Sequence, residues 1–422
     1  MNGKSFSLLT LDFRKLCKWV AIILIVSIVV GSASAFFLAT LAWATDTRVN
    51  NDWLIFLLPI GGAIIGLSYG KWGANVTKGN NVILEEYYQP KRRIDWVMAP
   101  LVYLGTILTH LFGGSAGREG TAVQIGASLA DQFSDKWVSG KEERRLLITL
   151  GVSAGFSAVF GTPITGAVFA MEVNGYSGPR WHFFLPSLLV AHLSFFTCSF
   201  FPVVHTHYPY IIGPNFDLYL GVALLLLGSA SGGMAYVFVL FTRLWAILFK
   251  RIKKPIWRPI VGGLVISSVT YYFSSYKYIG LGIPTILESF ESPKDWYNSI
   301  VKVVYTTFTL GAGFKGGEVT PLFFIGATLG NSFGSFFNLP LDFLAAIGFV
   351  SVFSGATNTP FACTVMAAEL FGFQILPYAL FANLTAYLIS GPKGIYISQQ
   401  VSSVKFWPNK LLSNGKRLFR KR

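Results

Sequence analysis

The sequence predicts an all-α, polytopic membrane protein made of two structurally repeated halves, expected to be inverted, whose broken helices meet at a midplane anion site. Three observations carry this. The 422 residues are 53% hydrophobic and 13% charged, with a mean hydropathy of +0.54, too apolar for a soluble domain of ordinary composition. Glycine and proline interrupt the apolar runs, and similar segments recur about half a chain apart.

Taken in order, stretches free of Asp, Glu, Lys and Arg run from Trp19 to Thr45, Trp53 to Gly70, Leu146 to Met171, Leu218 to Thr242 and Leu370 to Pro392. Each is near or above the ~18 residues that cross a bilayer. The first is longer than the apolar region of a secretory leader and is followed by many more spans, so it reads as a membrane helix. Leu146 to Met171 contains Gly151, Gly155, Gly161, Pro163 and Gly166, a pattern that breaks helices rather than extending them.

The net charge of +15 is concentrated at the ends. Lys4, Arg14, Lys15 and Lys18 precede Trp19, and Lys405, Lys410, Lys416, Arg417, Arg420, Lys421 and Arg422 follow Val404. That placement predicts two cytoplasmic termini and an even number of crossings, rather than a nucleic-acid partner. Cys17, Cys198 and Cys363 are odd in number and far apart, and no two of the five histidines stand four residues apart. Neither a disulfide framework nor a metal site is expected. His205 and His207, close to Pro202 and Pro209, read as loop.

Three pairs of segments match. Gly79 to Glu85 is echoed by Gly282 to Glu288, and Gly117 to Leu129 by Gly317 to Leu329; Pro163 and Glu172 correspond to Pro360 and Glu369. The offsets are 203, 200 and 197 residues. Corresponding interrupted segments in two halves point to a binding site between them, here between Gly117–Thr121 and Gly317–Pro321.

The first of these breaks, Gly113-Gly114-Ser115-Ala116-Gly117-Arg118-Glu119-Gly120-Thr121, sets a glutamate at membrane depth. Such a group is a functional candidate by default. A helix restarting at Thr121 would offer N–H groups and positive dipole to an anion, for which Glu119 would compete. Burial opposes the charge on Glu119 and amide donors favour it, the balance a proton carrier needs. Pairing of Glu119 with Arg118 is expected to be poor, because adjacent residues on a helix point apart.

Gly117-Arg118-Glu119-Gly120-Thr121, Gly317-Glu318-Val319-Thr320-Pro321 and Tyr396 resemble the GREGP, GxFxP and late tyrosine motifs of the CLC chloride channels and proton antiporters. The resemblance covers nearly the whole chain. It implies a single transmembrane transport domain over residues 1–422, with repeat halves at approximately 19–205 and 217–400 and no cytosolic regulatory domain. It also implies a homodimer with one pathway per subunit, an anion held by helix N-termini, and Glu119 as gate and proton carrier.

Departures narrow the likeness. Asn80 stands at the serine of the family's GSGIP motif, Val173 where many chloride exchangers carry an inner glutamate, Thr121 replaces the GREGP proline, and Glu318 is an added carboxylate. This set resembles the fluoride/proton antiporters of the family. It implies that Glu119, Glu318, Asn80, Val319, Thr320 and Tyr396 form or line the ion pathway, with Gly117, Arg118 and Gly120 in the gate segment. Glu318 either passes protons, anchors a donor, or pairs with Lys315 at the interface. Asn80 either supplies amide donors to the anion or caps a turn. Tyr396 either donates to the anion or sits in an interfacial belt. Glu172 and Glu369 read as structural.

The expected function is therefore fluoride export against inward-moving protons, in the bacterial inner membrane, with fluoride, protons and lipid as partners. The alternative is a chloride/proton antiporter or a passive anion channel. No nucleophile–base pair, metal cluster or phosphate loop suggests an enzyme, and no cofactor is expected.

Overall fold

The structure, a computed structural model, describes residues 13–174, 181–401 and 405. Lys4 and the basic residues from Lys410 to Arg422 lie outside the described residues. The fold is all-helical. The first half comprises α1 (Phe13–Val49), α2 (Leu58–Trp72), α3 (Asn80–Tyr88), α4 (Met98–Leu111), α5 (Glu119–Asp131), the one-turn α6 (Ser134–Trp137), α7 (Lys141–Phe160), α8 (Pro163–Val173) and α9 (Trp181–Ser199). The second comprises α10 (Leu218–Lys250), α11 (Trp257–Tyr272), α12 (Ile283–Glu288), α13 (Tyr297–Gly311), α14 (Val319–Phe337), α15 (Leu341–Thr357), α16 (Pro360–Phe371) and α17 (Leu376–Ile389).

The repeat is visible helix by helix. α1 to α5 correspond to α10 to α14, and α7 to α9 correspond to α15 to α17; α6 alone has no counterpart among the described residues. α5 and α14 begin 200 residues apart, at Glu119 and Val319. α8 and α16 run antiparallel, each touching the other's N-terminus with its C-terminal end, as inversion of one half on the other requires.

Among the described residues, four helical segments, Phe13–Val49, Asp52–Trp72, Trp181–Ser199 and Leu218–Lys250, are long and apolar enough to cross a bilayer alone, while several others run 10–17 residues. The apolar run from Leu146 to Met171 is broken as its composition predicts. α7 ends at Phe160, Gly161 follows in the left-handed conformation at φ +82, and Pro163 opens α8. Proline suits that first position because its missing N–H has no helical acceptor there.

The interior is held by close backbone approach. A Cβ on Gly126 would lie 2.2 Å from the Gly151 carbonyl oxygen, and one on Gly326 would lie 2.2 Å from that of Gly348. α5 therefore crosses α7, and α14 crosses α15, with backbones in contact, the packing that small residues permit where lipid removes the hydrophobic drive between helices. Around this seam Phe323 stacks on Phe349 with ring centroids 4.0 Å apart, and Phe156 stacks on Phe169 at 4.6 Å. The paired helices hold the N-termini of α5 and α14 against each other at the centre.

Candidate functional site

The two glycine breaks meet as a two-residue backbone bridge. Gly117 N–H donates to the Gly317 carbonyl at 2.6 Å, and Gly317 N–H donates to the Gly117 carbonyl at 2.7 Å. A Cβ on Gly117 would come within 2.9 Å of Pro321, and one on Gly317 within 2.8 Å of Gly120 N. Glycine is required here by the approach of one backbone to another.

Glu119 is the first residue of α5 and is 1% exposed. The helix starts two residues earlier than the expected Thr121. Its carboxylate reaches across the bridge to the N-terminus of α14. Thr320 N–H donates to Oε2 at 3.2 Å, and the Thr320 hydroxyl lies 2.9 Å from Oε1 and 2.7 Å from Oε2. Positive helix dipole and free amides make that end an anion seat, and a carboxylate fills it.

Arg118 corrects an expectation. Its Nε lies 3.6 Å from Glu119 Oε1, and its backbone N–H donates to Oε2 at 3.3 Å. The helical argument fails because Arg118 caps α5 rather than standing within it, so its side chain is free to turn back along the carboxylate. Its Nε is buried without a hydrogen-bond partner.

Glu318 occupies the corresponding cap position of α14, with Val319 buried beside it. A methyl group on Gly120 would lie 3.1 Å from Gly317 Cα, 3.3 Å from Asn80 Nδ2 and 3.6 Å from Glu318 Oε2. The bare Gly120 thus lets Asn80 and Glu318 converge on the bridge. Lys315, the alternative partner of Glu318, instead holds its ammonium 4.1 Å over the Tyr69 ring.

Asn80 opens α3 behind Gly79, whose φ is +57. No side-chain hydrogen bond caps this helix, and Asn80 Oδ1 is buried without a partner. Tyr396 is 5% exposed and lines one narrow cavity with Asn80, Val123, Phe169 and Val173. The structure brings all nine sequence-selected residues to two adjoining places: the bridge with its two carboxylates, and the cavity between Asn80 and Tyr396.

A buried polar shell behind the bridge escaped sequence reasoning. His110 is 2% exposed, its ring nitrogens 2.8 Å from the Thr106 carbonyl and 3.0 Å from that of Ala116. Ser115 Oγ lies 2.9 Å from Thr306 Oγ1, and Thr121 Oγ1 lies 2.8 Å from Thr106 Oγ1. Lys302, fully buried, donates to the carbonyls of Tyr278 and Gly280 at 3.0 and 2.9 Å. Gly280 N–H in turn donates to the Gly114 carbonyl at 3.0 Å. One signal was available: Thr106 and Thr109 recur as Thr306 and Thr309, at the 200-residue offset of the repeat.

An ionisable group seated on backbone amides, between broken helices of two repeated halves, defines the architecture of a membrane ion-transport protein. The chain belongs to the voltage gated chloride channel family, whose model matches residues 61–391. A chloride/fluoride channel protein of Pseudomonas syringae pv. tomato is 43% identical over 400 residues, 92% of this chain and 88% of that protein. The crystal structure of a CLC-type fluoride/proton antiporter superposes with a TM-score of 0.88 at 34% identity, covering 93% of this chain and 100% of that one. A slow cyanobacterial chloride/proton antiporter shares the fold at 19% identity, with a TM-score of 0.76 over 90% of this chain and 96% of its own.

Proposed function

We propose that this chain is a fluoride/proton antiporter that exports fluoride from the cytoplasm in exchange for protons. The observation that carries the reading is the Glu119 carboxylate on the Thr320 amide and hydroxyl. A carboxylate and a halide compete for the same donors. Protonation weakens the hold of Glu119 and frees the seat for the anion; deprotonation returns it. One exchange of places moves a proton and an anion past each other.

In this scheme Glu318 passes protons or anchors a donor beside Gly120, while Asn80 and Tyr396 supply donors along the anion route. Gly117, Arg118, Gly120 and Val319 shape the passage. Fluoride is favoured over chloride because a small ion holds its water tightly, and short, aligned donors such as the Asn80 amide repay that loss of solvation. The likeness to a fluoride/proton antiporter at 34% identity supports this choice. Residues 1–422 act as a single transport domain, with halves near 19–205 and 217–400. Two subunits pair with one pathway each, both termini on the cytoplasmic side of a bacterial inner membrane, and no enzymatic step or cofactor intervenes.

The test is fluoride and chloride efflux from proteoliposomes, with external pH followed in the same trace. Fluoride efflux with opposing proton uptake and little chloride movement is expected. Glu119→Gln should abolish proton movement. Fast anion flux without protons in the unmodified protein identifies a passive channel instead.

A further inference from the structure

The linker between α9 and α10, residues 200–217, has no helix or strand of its own, yet it is pinned along its length. His205 Nε2 lies 2.9 Å from the Ala158 carbonyl, Ile211 N–H donates to the Phe371 carbonyl at 2.8 Å, and the Pro214 carbonyl accepts from the Tyr378 hydroxyl at 2.8 Å. Asp217 closes the linker as the cap of α10, accepting from Leu220 N–H at 2.7 Å. The segment is thereby fixed to the end of α7, the end of α16 and the start of α17.

This linker and Tyr396 stand at opposite ends of the same two helices. The linker meets α17 at Tyr378, in its first turn, whereas Tyr396 follows its last residue, Ile389. α10 starts beside the linker at Leu218, whereas towards its far end Arg243 donates to the Gly394 carbonyl at 3.1 Å, two residues before Tyr396. With the C-terminal side cytoplasmic, as proposed above, the linker lies on the outer side of the site.

Tyr208 of the linker turns inward. Its ring packs edge-on against Phe290, Phe349 and Phe371, with centroids 6.0, 5.2 and 5.7 Å away. Phe349 stacks on Phe323, which stands three residues after Thr320 in α14. Phe323 meets Phe353 at 5.1 Å, and Phe353 meets Phe169, in the wall of the Tyr396 cavity, at 6.0 Å. One row of rings thus passes the helix end that seats Glu119, with a tyrosine at each end of it.

Rings alone hold Tyr208, and among the described residues its hydroxyl has no hydrogen-bond partner. A tyrosine hydroxyl set into an apolar wall ordinarily finds one. Burial raises the phenol above its ordinary range, while the Arg118 guanidinium lowers it and the Glu119 carboxylate raises it. It therefore keeps its proton, and both charges of the gate segment act on it. We propose that Tyr208 is the outer donor of the pathway: its phenol O–H receives fluoride that leaves the Thr320 seat for the extracellular side, the role opposite to that of Tyr396. The inference rests on the transport reading above and adds a residue of the outer route.

The test is Tyr208→Phe, which keeps the ring and its packing and removes only the oxygen. Fluoride uptake is followed over a range of fluoride concentrations in right-side-out and in inside-out membrane vesicles from bacteria expressing the protein. The half-saturating fluoride at the outer face is expected to rise about tenfold or more, the effect of a lost hydrogen bond to a charged group. The value at the cytoplasmic face and the melting temperature of the purified protein should stay as in wild type. An unchanged outer-face value overturns the proposal, and so does an equal rise at both faces. A fall in melting temperature overturns it too, because it marks the hydroxyl as part of the fold. Unmodified protein that moves no fluoride in either kind of vesicle rejects the transport reading itself, independently of Tyr208.

Discussion

Glu172 and Glu369 hold each other's helices. The Glu172 carboxylate, at the end of α8, accepts from Phe361 N–H at 3.1 Å and Ala362 N–H at 2.7 Å, at the start of α16. Glu369, in α16, accepts from Ile164 N–H at 2.8 Å, Thr165 N–H at 2.6 Å and the Thr165 hydroxyl at 2.6 Å, at the start of α8. Each carboxylate satisfies amide donors that the opposite helix leaves free and lies on its positive end. Loss of either should cost about 0.5–2 kcal/mol, the range for a removed helix cap. Melting of detergent-purified Glu172→Ala and Glu369→Ala should show similar drops, with fluoride binding retained; a large loss in one and none in the other contradicts their equivalence.

The Thr320 hydroxyl contacts both oxygens of Glu119. A hydrogen bond to a charged group contributes roughly 1.5–3 kcal/mol, so Thr320→Val should raise the unseated population of Glu119 by tenfold or more. The expected result is fluoride movement with fewer protons per anion, read from paired fluoride and pH traces. Thr320→Ser keeps the hydroxyl and should keep the wild-type ratio.

Glu318 faces Gly120 and Asn80 without an ion pair to Lys315 among the described residues. Glu318→Gln preserves shape and removes the titrating proton. It should reduce proton uptake per fluoride while leaving thermal stability within about 1 kcal/mol of wild type. Unchanged coupling would return Glu318 to a structural role.

Arg144 locks the loop between α3 and α4. It donates to both oxygens of Asp131, at 2.9 and 2.8 Å, to Glu86 at 3.2 Å and to the Arg92 carbonyl at 2.6 Å. Asp131 is fully buried and also accepts from Ile94 N–H at 2.7 Å. Arg144→Met strands that carboxylate and should cost about 3–5 kcal/mol. Arg144→Lys should recover only part of it, because an ammonium lacks the planar fork. Thermal midpoints of the two variants in one detergent measure the difference.

The repeat, the glycine breaks and Glu119 were legible because each is a local anomaly: a charge in an apolar run, or a motif met twice. What Glu119 touches was not legible, since Thr320 lies 201 residues away and only the meeting of two helix ends joins them. Arg118 was misjudged for a related reason. A rule about helical neighbours was applied to a residue whose place at the boundary only the folded chain defines. In the polar shell, Thr106 recurs as Thr306 in the repeat, but His110, Ser115 and Lys302 went unread because one imidazole, one hydroxyl and one amine in apolar segments carry no periodicity of their own.

The Gly117–Gly317 bridge has a further consequence for how such a protein diversifies. Main-chain atoms make the bridge, and no substitution alters their chemistry; a larger residue at either glycine breaks it. Any change of ion preference must therefore be written into the side chains standing around it, and drift in the two halves is tied together at this one point. A lineage can exchange Asn80 or Glu318 and keep its architecture, but it cannot separate the two glycines.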